Sequence, residues 1–206
     1  MVNDLVSGLQ NAKCLLYADD LKLVMGIEQE SDCLRLQDDL DRIHRWSVAN
    51  KLHFNYSKCQ IMTFTRRQYP VKFQYKLGDQ VINRVNSVKD LGVNFDGELT
   101  FHDHINSLAK ESYRRLGFVA RNIKDFNNTG VIKLVYTALV RCKLEASACV
   151  WSPSEAKYKL MLEKVQTAFL RFLYKKLYGY YPFMYPTKFL LGVLGFNSLE
   201  VCRERL

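Results

Sequence analysis

The stretch Leu15-Leu16-Tyr17-Ala18-Asp19-Asp20-Leu21-Lys22-Leu23-Val24 places two apolar segments on either side of two adjacent carboxylates. The flanking residues suit strands and the central ones suit a tip, so the stretch predicts a tight β-hairpin with carboxylates at its turn. Two neighbouring anions repel each other, and a divalent cation such as Mg²⁺, which prefers carboxylate oxygens, relieves that repulsion. An ordinary Asp-Asp turn is the alternative interpretation, because aspartate is common in turns.

The composition is that of a folded chain, with 206 residues and 48% hydrophobic content, enough to bury a core and to disfavour global disorder. The longest apolar run is short and contains Gly192 and Gly195, so we expect no membrane span and no membrane partner. No signal peptide is predicted. The six cysteines contain no Cys-x-x-Cys pair, which favours buried free thiols in an intracellular protein of the nucleus or cytoplasm.

The net charge of +9 is confined to the second half of the chain. Residues 1–98 contain 13 basic and 13 acidic residues, whereas residues 99–206 contain 17 basic and 8 acidic residues. A basic region of this kind favours a polyanionic partner through phosphate contacts and counterion release. The alternative is a solvated surface on a basic protein.

The first half combines one predicted helix with several short strands. Leu36, Leu40, Ile43 and Ser47 share one face of a helix over residues 32–49 that begins at an N-cap Ser31. The opposite face, with Asp38, Asp39, Asp41 and Arg42, is expected to meet solvent. Strands are predicted at residues 60–65, 71–77, 81–85 and 88–95. Gly78-Asp79 is a two-residue turn signal, and Gly92 marks a place where a side chain does not fit. Residues 1–98 are therefore predicted to form a small, mostly antiparallel sheet packed by one or two helices.

The second half has helical periodicity, with starts at Asn128 and at Ser152-Pro153-Ser154. Short helices are expected at residues 187–194 and from Ser198, and the domain boundary is drawn after Glu98. The expected core of this helical bundle consists of Ile105, Leu108, Ser112, Leu116, Val119 and Ile123; Val131, Leu134, Val135, Ala138, Leu139 and Cys142; and Tyr158, Leu162, Val165, Phe169 and Phe172.

Several short segments along this sequence resemble the reverse transcriptases of non-LTR retrotransposons, most of all the jockey-type elements of insects. Tyr17-Ala18-Asp19-Asp20 matches the Tyr-x-Asp-Asp metal-binding motif of that family. Further matching segments are Asn3-Asp4-Leu5, Leu36-Gln37-Asp38-Asp39-Leu40, Trp46, Asn50, Asn55-Tyr56-Ser57-Lys58-Cys59, Asp90-Leu91-Gly92-Val93, His104-Ile105, Leu139-Val140-Arg141, Glu163-Lys164-Val165-Gln166 and Ser198-Leu199-Glu200.

The resemblance implies an α+β fold, with the C-terminal part of a polymerase palm over residues 1–98 and an all-helical, thumb-like bundle over residues 99–206. It implies Mg²⁺- or Mn²⁺-dependent DNA synthesis from deoxynucleoside triphosphates on an RNA template with a DNA primer. Only sixteen residues precede Tyr17, so we expect the fingers and a further catalytic Asp to be missing and the fragment to be inactive alone. The alternatives are a non-catalytic nucleic-acid-binding remnant and a pseudogene product.

The resemblance also assigns roles to individual residues. Asp19 would be the direct metal ligand, Asp20 a weaker contact, and Tyr17 would lie under the primer end. Lys58 matches a lysine expected to protonate the departing pyrophosphate as a general acid, although a surface lysine is the alternative. The segment containing Leu91 and Gly92 would contact the primer through its backbone.

Basic residues cluster at two places in the helical half. Arg114, Arg115, Arg121 and Lys124 lie on one predicted helix, whose exposed face suits a duplex backbone. Arg171, Lys175 and Lys176, with Tyr174 and Tyr178, suit either a phosphate and stacking surface or snorkelling lysines beside core-edge tyrosines. The triplet His102-Asp103-His104 is interpreted as a helix start rather than a metal site.

Overall fold

The computed structural model describes residues 2–203, and of Val2 and Asn3 it describes the backbone alone. The chain divides into two compact units, Met1–Val88 and Lys89–Leu206. The division after Val88 falls inside a strand, β7 (Ser87–Asp90), and lies ten residues before the boundary predicted after Glu98. The fold mixes helices with small sheets, at 53% helix and 14% strand.

The first unit contains one long helix and several very short strands. Its elements are a 3-10 helix at Val2–Gly8, β1 (Lys13–Tyr17), β2 (Asp20–Val24), α1 (Glu30–Ala49), a 3-10 helix at Tyr56–Lys58, β3 (Gln60–Met62), β4 (Lys76–Leu77), β5 (Gln80–Val81) and β6 (Asn83–Val85). The strands pair as separate two-stranded ribbons, β1 with β2 and β4 with β5 antiparallel, and β3 with β6 parallel. The prediction of one small sheet is therefore wrong for the described residues.

The contacts of Lys76 show why the strand predicted at residues 71–77 is so short. The Lys76 N–H donates to Oε1 of Gln37 at 2.9 Å, and the Lys76 carbonyl accepts from Nε2 of Gln37 at 2.9 Å. A side chain of α1 thus satisfies the backbone groups that a neighbouring strand would otherwise pair. The Gly78-Asp79 turn that follows is confirmed: Gly78 has φ +60°, and an added Cβ would lie 2.6 Å from Nε2 of His44.

Helix α1 begins two residues earlier than predicted, at Glu30, and its N-cap is Gln29 rather than Ser31. The carboxylate of Asp32 accepts the N–H groups of Glu28 and Gln29 at 3.0 and 3.1 Å, which satisfies donors that precede the first turn. Ile43 and Ser47 are buried as expected, but so is Asp39, which the sequence placed on the solvent face.

The strand predicted at residues 88–95 is instead a hairpin of β7 and β8 (Val93–Asp96). Leu91 and Gly92 form its turn, with φ of 45° and 88°. A Cβ added at Gly92 would meet nothing within 4 Å, so glycine serves the left-handed backbone here and not a close approach.

The remaining elements of the second unit are helical. They are α2 (His102–Asn122), α3 (Thr129–Tyr136), a π-helical turn at Thr137–Arg141, α4 (Cys142–Glu145), α5 (Ala148–Trp151), α6 (Ala156–Tyr178), α7 (Thr187–Leu194) and α8 (Leu199–Arg203). Helix α6 packs against α2, α7 and α8. The predicted α2 and α6 stripes form the core, α7 and α8 are confirmed, and α6 begins after Ser154 rather than at Ser152. Among the described residues, the largest fully buried side chains are those of Trp151, Tyr136 and Phe169.

The apolar face predicted for residues 131–142 is wrong in phase. Ile132, Tyr136, Val140 and Leu144 are fully buried, whereas Leu134 is 67% exposed. Asn128 caps the start as predicted, with its Oδ1 accepting the N–H of Gly130 at 2.8 Å. In an α-helix of 3.6 residues per turn, residues spaced four apart do not stay on one side of the helix. The wider π turn at Thr137–Arg141 returns them to one side.

The expectation of buried thiols holds for one cysteine. All six cysteines are free, but Cys33 alone is buried, and Cys142 and Cys149 are exposed. Within residues 2–203, no helix is both long and apolar enough to span a membrane.

Candidate carboxylate hairpin and basic helical surface

The predicted hairpin is confirmed. Strand β1 pairs with β2 so that Tyr17 lies opposite Asp20, which leaves Ala18 and Asp19 as a two-residue turn. Ala18 has φ +50°, in the left-handed region that costs an L-residue about 1–2 kcal/mol. Both carboxylates are exposed, and the ring of Tyr17 is 63% exposed. The hairpin thus presents two acidic groups and one aromatic ring to solvent.

The two carboxylates do not complete a metal centre by themselves. Among the residues that the structure describes, no group of three His, Cys, Asp or Glu side chains is placed to hold a metal ion. Mg²⁺ prefers near-octahedral oxygen coordination, so Asp19 and Asp20 fit only part of such a site.

The two histidines of the His102-Asp103-His104 triplet make separate structural contacts and do not share a ligand site. Nε2 of His102 lies 2.7 Å from Oε1 of Glu155. Nδ1 of the buried His104 accepts the N–H of Asn94 at 3.3 Å. Burial, together with the nearby charge of Lys89, holds the pKa of His104 below its ordinary value. The helix-start interpretation of this triplet agrees with these contacts.

Asp39 is the residue near the hairpin that the sequence interpretation missed. Its carboxylate is fully buried and accepts the N–H groups of Gln10, Asn11 and Ala12 at 3.1, 2.9 and 2.7 Å. Burial by itself raises the pKa of this carboxyl, but these donors outweigh it and the pKa lies below its usual value. Asp39 therefore attaches α1 to the backbone just before β1. Its place beside Asp38 in the sequence gave no signal of burial.

Lys58 and Leu91 both lie on the surface at turns. Lys58 ends a 3-10 helix and is exposed, and the Asn55 side chain just before it accepts the hydroxyl of Ser57 at 2.6 Å. Leu91, at the β7–β8 turn, is 56% exposed.

The basic residues predicted on α2 differ in how they are engaged. Arg114 and Arg121 are exposed, as is Lys124 just beyond the helix. Arg115 instead binds Glu111 through two nitrogens at 2.7 and 2.9 Å, and this guanidinium holds the pKa of Glu111 below its usual value. Arg114, Arg121 and Lys124 are therefore the members of this set best placed to meet a ligand.

The basic residues of α6 are likewise divided. Nη1 of Arg171 donates to the Pro182 carbonyl at 2.6 Å, and Nζ of Lys176 donates to the Lys124 carbonyl. Lys175 is exposed. Tyr174 is buried at 5% exposure, whereas Tyr178 is 51% exposed. Of the two tyrosines considered for stacking, only Tyr178 presents a ring to solvent.

Comparison with curated proteins finds a similarity to the RNA-directed DNA polymerase from mobile element jockey of Drosophila funebris, at 32% identity over 118 residues. The match covers 53% of this chain, and the chain spans 12% of the length of that polymerase. No protein-family model matches the chain. No solved structure matches it either. The comparison supports a reverse-transcriptase-like identity at family level.

Proposed function

We propose that these residues form part of a reverse-transcriptase-type, RNA-directed DNA polymerase of a non-LTR, jockey-like mobile element. The observation that carries the proposal is the hairpin, in which Tyr17-Ala18-Asp19-Asp20 places two carboxylates at a tight turn. The similarity to a jockey polymerase supports it. In this proposal the first unit belongs to a polymerase palm and the helical unit to a thumb that contacts nucleic acid.

The proposed roles follow the chemistry of each side chain. Asp19 and Asp20 would supply two of the carboxylates that hold Mg²⁺ or Mn²⁺, and the bound ion would supply Lewis-acid chemistry for nucleotidyl transfer. Tyr17 lies under the primer end, Lys58 is a general acid for pyrophosphate, and the turn at Leu91 and Gly92 contacts the primer through its backbone. Because two carboxylates hold a cation weakly, we expect the 206 residues alone to incorporate no nucleotide.

The proposed partners are an RNA template paired with a DNA primer, with deoxynucleoside triphosphates as the substrates. The exposed guanidinium groups of Arg114 and Arg121 lie on α2, whose other face is buried in the core. Guanidinium groups on a helix surface bind phosphates without reading sequence. We therefore expect duplex binding that is independent of sequence and falls steeply with salt.

Paramagnetic broadening by Mn²⁺ tests the hairpin assignment. We expect backbone amide signals at residues 17–22 to broaden first, with an affinity weaker than micromolar, and Asp19→Asn with Asp20→Asn to abolish the effect. Asp79→Asn is the matched control, because Asp79 is an exposed carboxylate at another two-residue hairpin turn. Equal broadening around Asp79 and around Asp19 would contradict a specific site.

Titration of an RNA–DNA duplex at several salt concentrations tests the nucleic-acid surface. Changing Arg114 and Arg121 to Gln should flatten the log–log salt slope by about one for each lost phosphate contact. Arg66→Gln with Arg67→Gln, which removes two exposed charges from the first unit, should leave the slope unchanged. The duplex proposal would be contradicted if the protein did not bind the duplex at low salt, or if its affinity did not change with salt concentration.

A non-catalytic nucleic-acid-binding role is the second candidate. It is favoured by the charge distribution, since residues 99–206 carry the whole net charge of +9 while the hairpin fits only part of a metal site. The two candidates differ in the Mn²⁺ experiment. A polymerase origin predicts broadening that depends on Asp19, whereas a binding-only role predicts duplex affinity with no metal preference for the hairpin.

A further inference from the structure

The segment between α6 and α7 displays aromatic rings on the protein surface. Residues 179–186, which we name the aromatic loop, have the sequence Gly-Tyr-Tyr-Pro-Phe-Met-Tyr-Pro. Phe183 is 79% exposed, Met184 91%, Tyr180 50% and Tyr181 40%. Large apolar groups gathered at one exposed place mark a contact surface on a folded protein.

Contacts with α6 and within the segment support the aromatic loop at Tyr180, Tyr181 and Pro182. The carbonyl of the buried Pro182 accepts from Arg171 at 2.6 Å, and the Arg171 guanidinium lies 5.9 Å from the centroid of the Tyr181 ring. The hydroxyl of Tyr180 bonds those of Tyr174 and Tyr185 at 2.8 and 3.2 Å. Because these groups are ordered before any ligand arrives, binding loses less conformational entropy.

The exposed rings lie close enough together to act as one surface. The ring centroids of Tyr181 and Phe183 are 4.5 Å apart, with an angle of 55° between their planes. The exposed parts of the two rings offer apolar area to a planar group, and most of that area comes from Phe183. Base–aromatic stacking uses this kind of area and tolerates any base, since every base has a π-face.

The charge around the loop selects an anionic ligand. From Lys164 to Leu199, both included, the chain has five basic residues and no acidic residue. Lys175 and Lys188 are exposed on either side of the loop. A ligand that is both polyanionic and rich in planar rings is nucleic acid. A duplex hides its base faces by pairing and stacking, so exposed rings suit unpaired nucleotides.

We propose that the aromatic loop binds single-stranded nucleic acid, with Tyr181 and Phe183 stacking on unpaired bases while Lys175 and Lys188 neutralise phosphates. This deepens the proposed function by adding a second class of nucleic-acid partner, and it rests on that function for its setting. The loop is a different surface from Arg114 and Arg121 on α2.

The test uses the full chain and a fluorescein-labelled oligodeoxythymidine in fluorescence anisotropy. Phe183→Ala and Tyr181→Ala should each weaken binding at least about fivefold, as expected for loss of one stacked base. Tyr69→Ala is the matched control, because Tyr69 is 84% exposed and follows Arg66 and Arg67 in the sequence. It should leave the affinity within about twofold. The circular dichroism of each variant should match that of the parent, since exposed substitutions change stability little.

An abasic oligonucleotide of the same length separates stacking from charge. The parent protein should bind it at least about fivefold more weakly than oligodeoxythymidine at the same salt concentration. Equal affinity for the two would overturn the proposal, because phosphate contacts alone would then account for binding. Loop variants that keep oligonucleotide affinity but lose binding to vesicles of anionic phospholipid would also overturn it, in favour of a membrane surface.

The RNA–DNA duplex distinguishes failure of this inference from failure of the proposed function. Phe183→Ala should leave duplex affinity unchanged, whereas changing Arg114 and Arg121 to Gln should lower it. Duplex binding without single-strand binding would overturn the loop assignment and leave the proposed function standing. Single-strand binding that depends on Phe183, without duplex binding, would support the loop and count against the duplex proposal.

Discussion

The helical unit and the β1–β2 hairpin bury their side chains to very different extents. In the helical unit, Tyr136 stacks on Phe169 with ring centroids 3.7 Å apart, and both are fully buried in one continuous core. In the β1–β2 hairpin, every residue is either exposed or only partly buried. Tyr17, Asp19 and Asp20, the residues that point most strongly to catalysis, therefore lie in a hairpin whose strands contain no fully buried residue.

The difference shows what positions the carboxylate hairpin. Apolar burial fixes the helical unit, whereas the entry into β1 is fixed by the carboxylate of Asp39 and three backbone N–H groups. Hydrogen bonds to a charged group contribute about 1.5–3 kcal/mol each. The hydrogen bonds of one buried carboxylate thus hold the start of the hairpin in place, as apolar packing holds the helices of the second unit.

The largest effect is expected from truncation in the helical core. Phe169→Ala removes a fully buried ring that contacts Tyr136 and Phe196, and such truncations cost about 3–5 kcal/mol. Segment-resolved hydrogen exchange should show lower opening free energy across α2 and α6.

Phe183→Ala is the matched control, because that ring is 79% exposed. It should change stability by no more than about 0.5 kcal/mol. Similar effects for Phe169 and Phe183 would contradict the contrast between a packed core and an open surface.

The next effect concerns Asp39. Asp39→Asn keeps the shape but removes the charge and one acceptor, so buried N–H groups lose partners at a cost of about 2–3 kcal/mol. Amide exchange in β1 and β2 should accelerate, while exchange in α6 stays unchanged. Asp38→Asn, which alters the neighbouring exposed carboxylate, should leave the hairpin as it was.

Acidification should destabilise the hairpin as Asp39→Asn does, because protonation removes the charge of the Asp39 carboxylate. Its folded pKa lies below the ordinary value of 3.8, so its contribution to stability is complete above about that pH. The contribution is lost as pH falls through the folded pKa. Hairpin protection that stays constant from pH 6 to pH 2 would show that the charge of Asp39 is unimportant.

A smaller pH effect is expected in the helical unit from His104. Its folded pKa lies below the ordinary value of 6.5 because of burial and then the charge of Lys89. Stability is therefore complete above pH 6.5 and falls below it, by at most about 1.4 kcal/mol per pH unit. Denaturant unfolding monitored at Trp151 should show this slope, and His104→Gln should remove it. His53→Gln, at an exposed position, should leave it unchanged.

Sequence periodicity predicted the helical unit better than the first one. The stripes of α2 and α6 were predicted correctly because long helices repeat their apolar positions many times. The face of residues 131–142 was predicted in the wrong phase, since a π-helical turn at Thr137–Arg141 is invisible in an apolar pattern. That turn is what places Val140 and Leu144 in the core.

Short strands gave weaker signals, because local alternation does not say which partner a backbone finds. Lys76 shows this, since a Gln37 side chain satisfies both of its backbone groups. The hairpin itself was predicted correctly because two strand-forming segments flank its turn closely. The burial of Asp39 and the exposure of Phe183 reverse what residue type alone indicates. The burial of Asp39 follows from its hydrogen bonds to the backbone of residues 10–12, which one sequence does not display.

The smallest effect is expected at the tip of the hairpin. Ala18 has φ +50°, a conformation that costs an alanine about 1–2 kcal/mol and a glycine almost nothing. Ala18→Gly removes that strain but adds about 0.5–1 kcal/mol of unfolded-state entropy, so the net change should be a stabilisation of a few tenths of a kcal/mol. Ala120→Gly in α2 should instead destabilise by about 1 kcal/mol. Thermal melting of both variants measures the difference in sign. A loss of stability at Ala18 as large as that at Ala120 would mean that the turn is not strained.

Backbone strain of this kind persists where the surrounding structure over-determines it, and it is concentrated at functional sites. We therefore expect Ala18→Gly also to make Asp19 less rigidly placed and to weaken any Mn²⁺ broadening there.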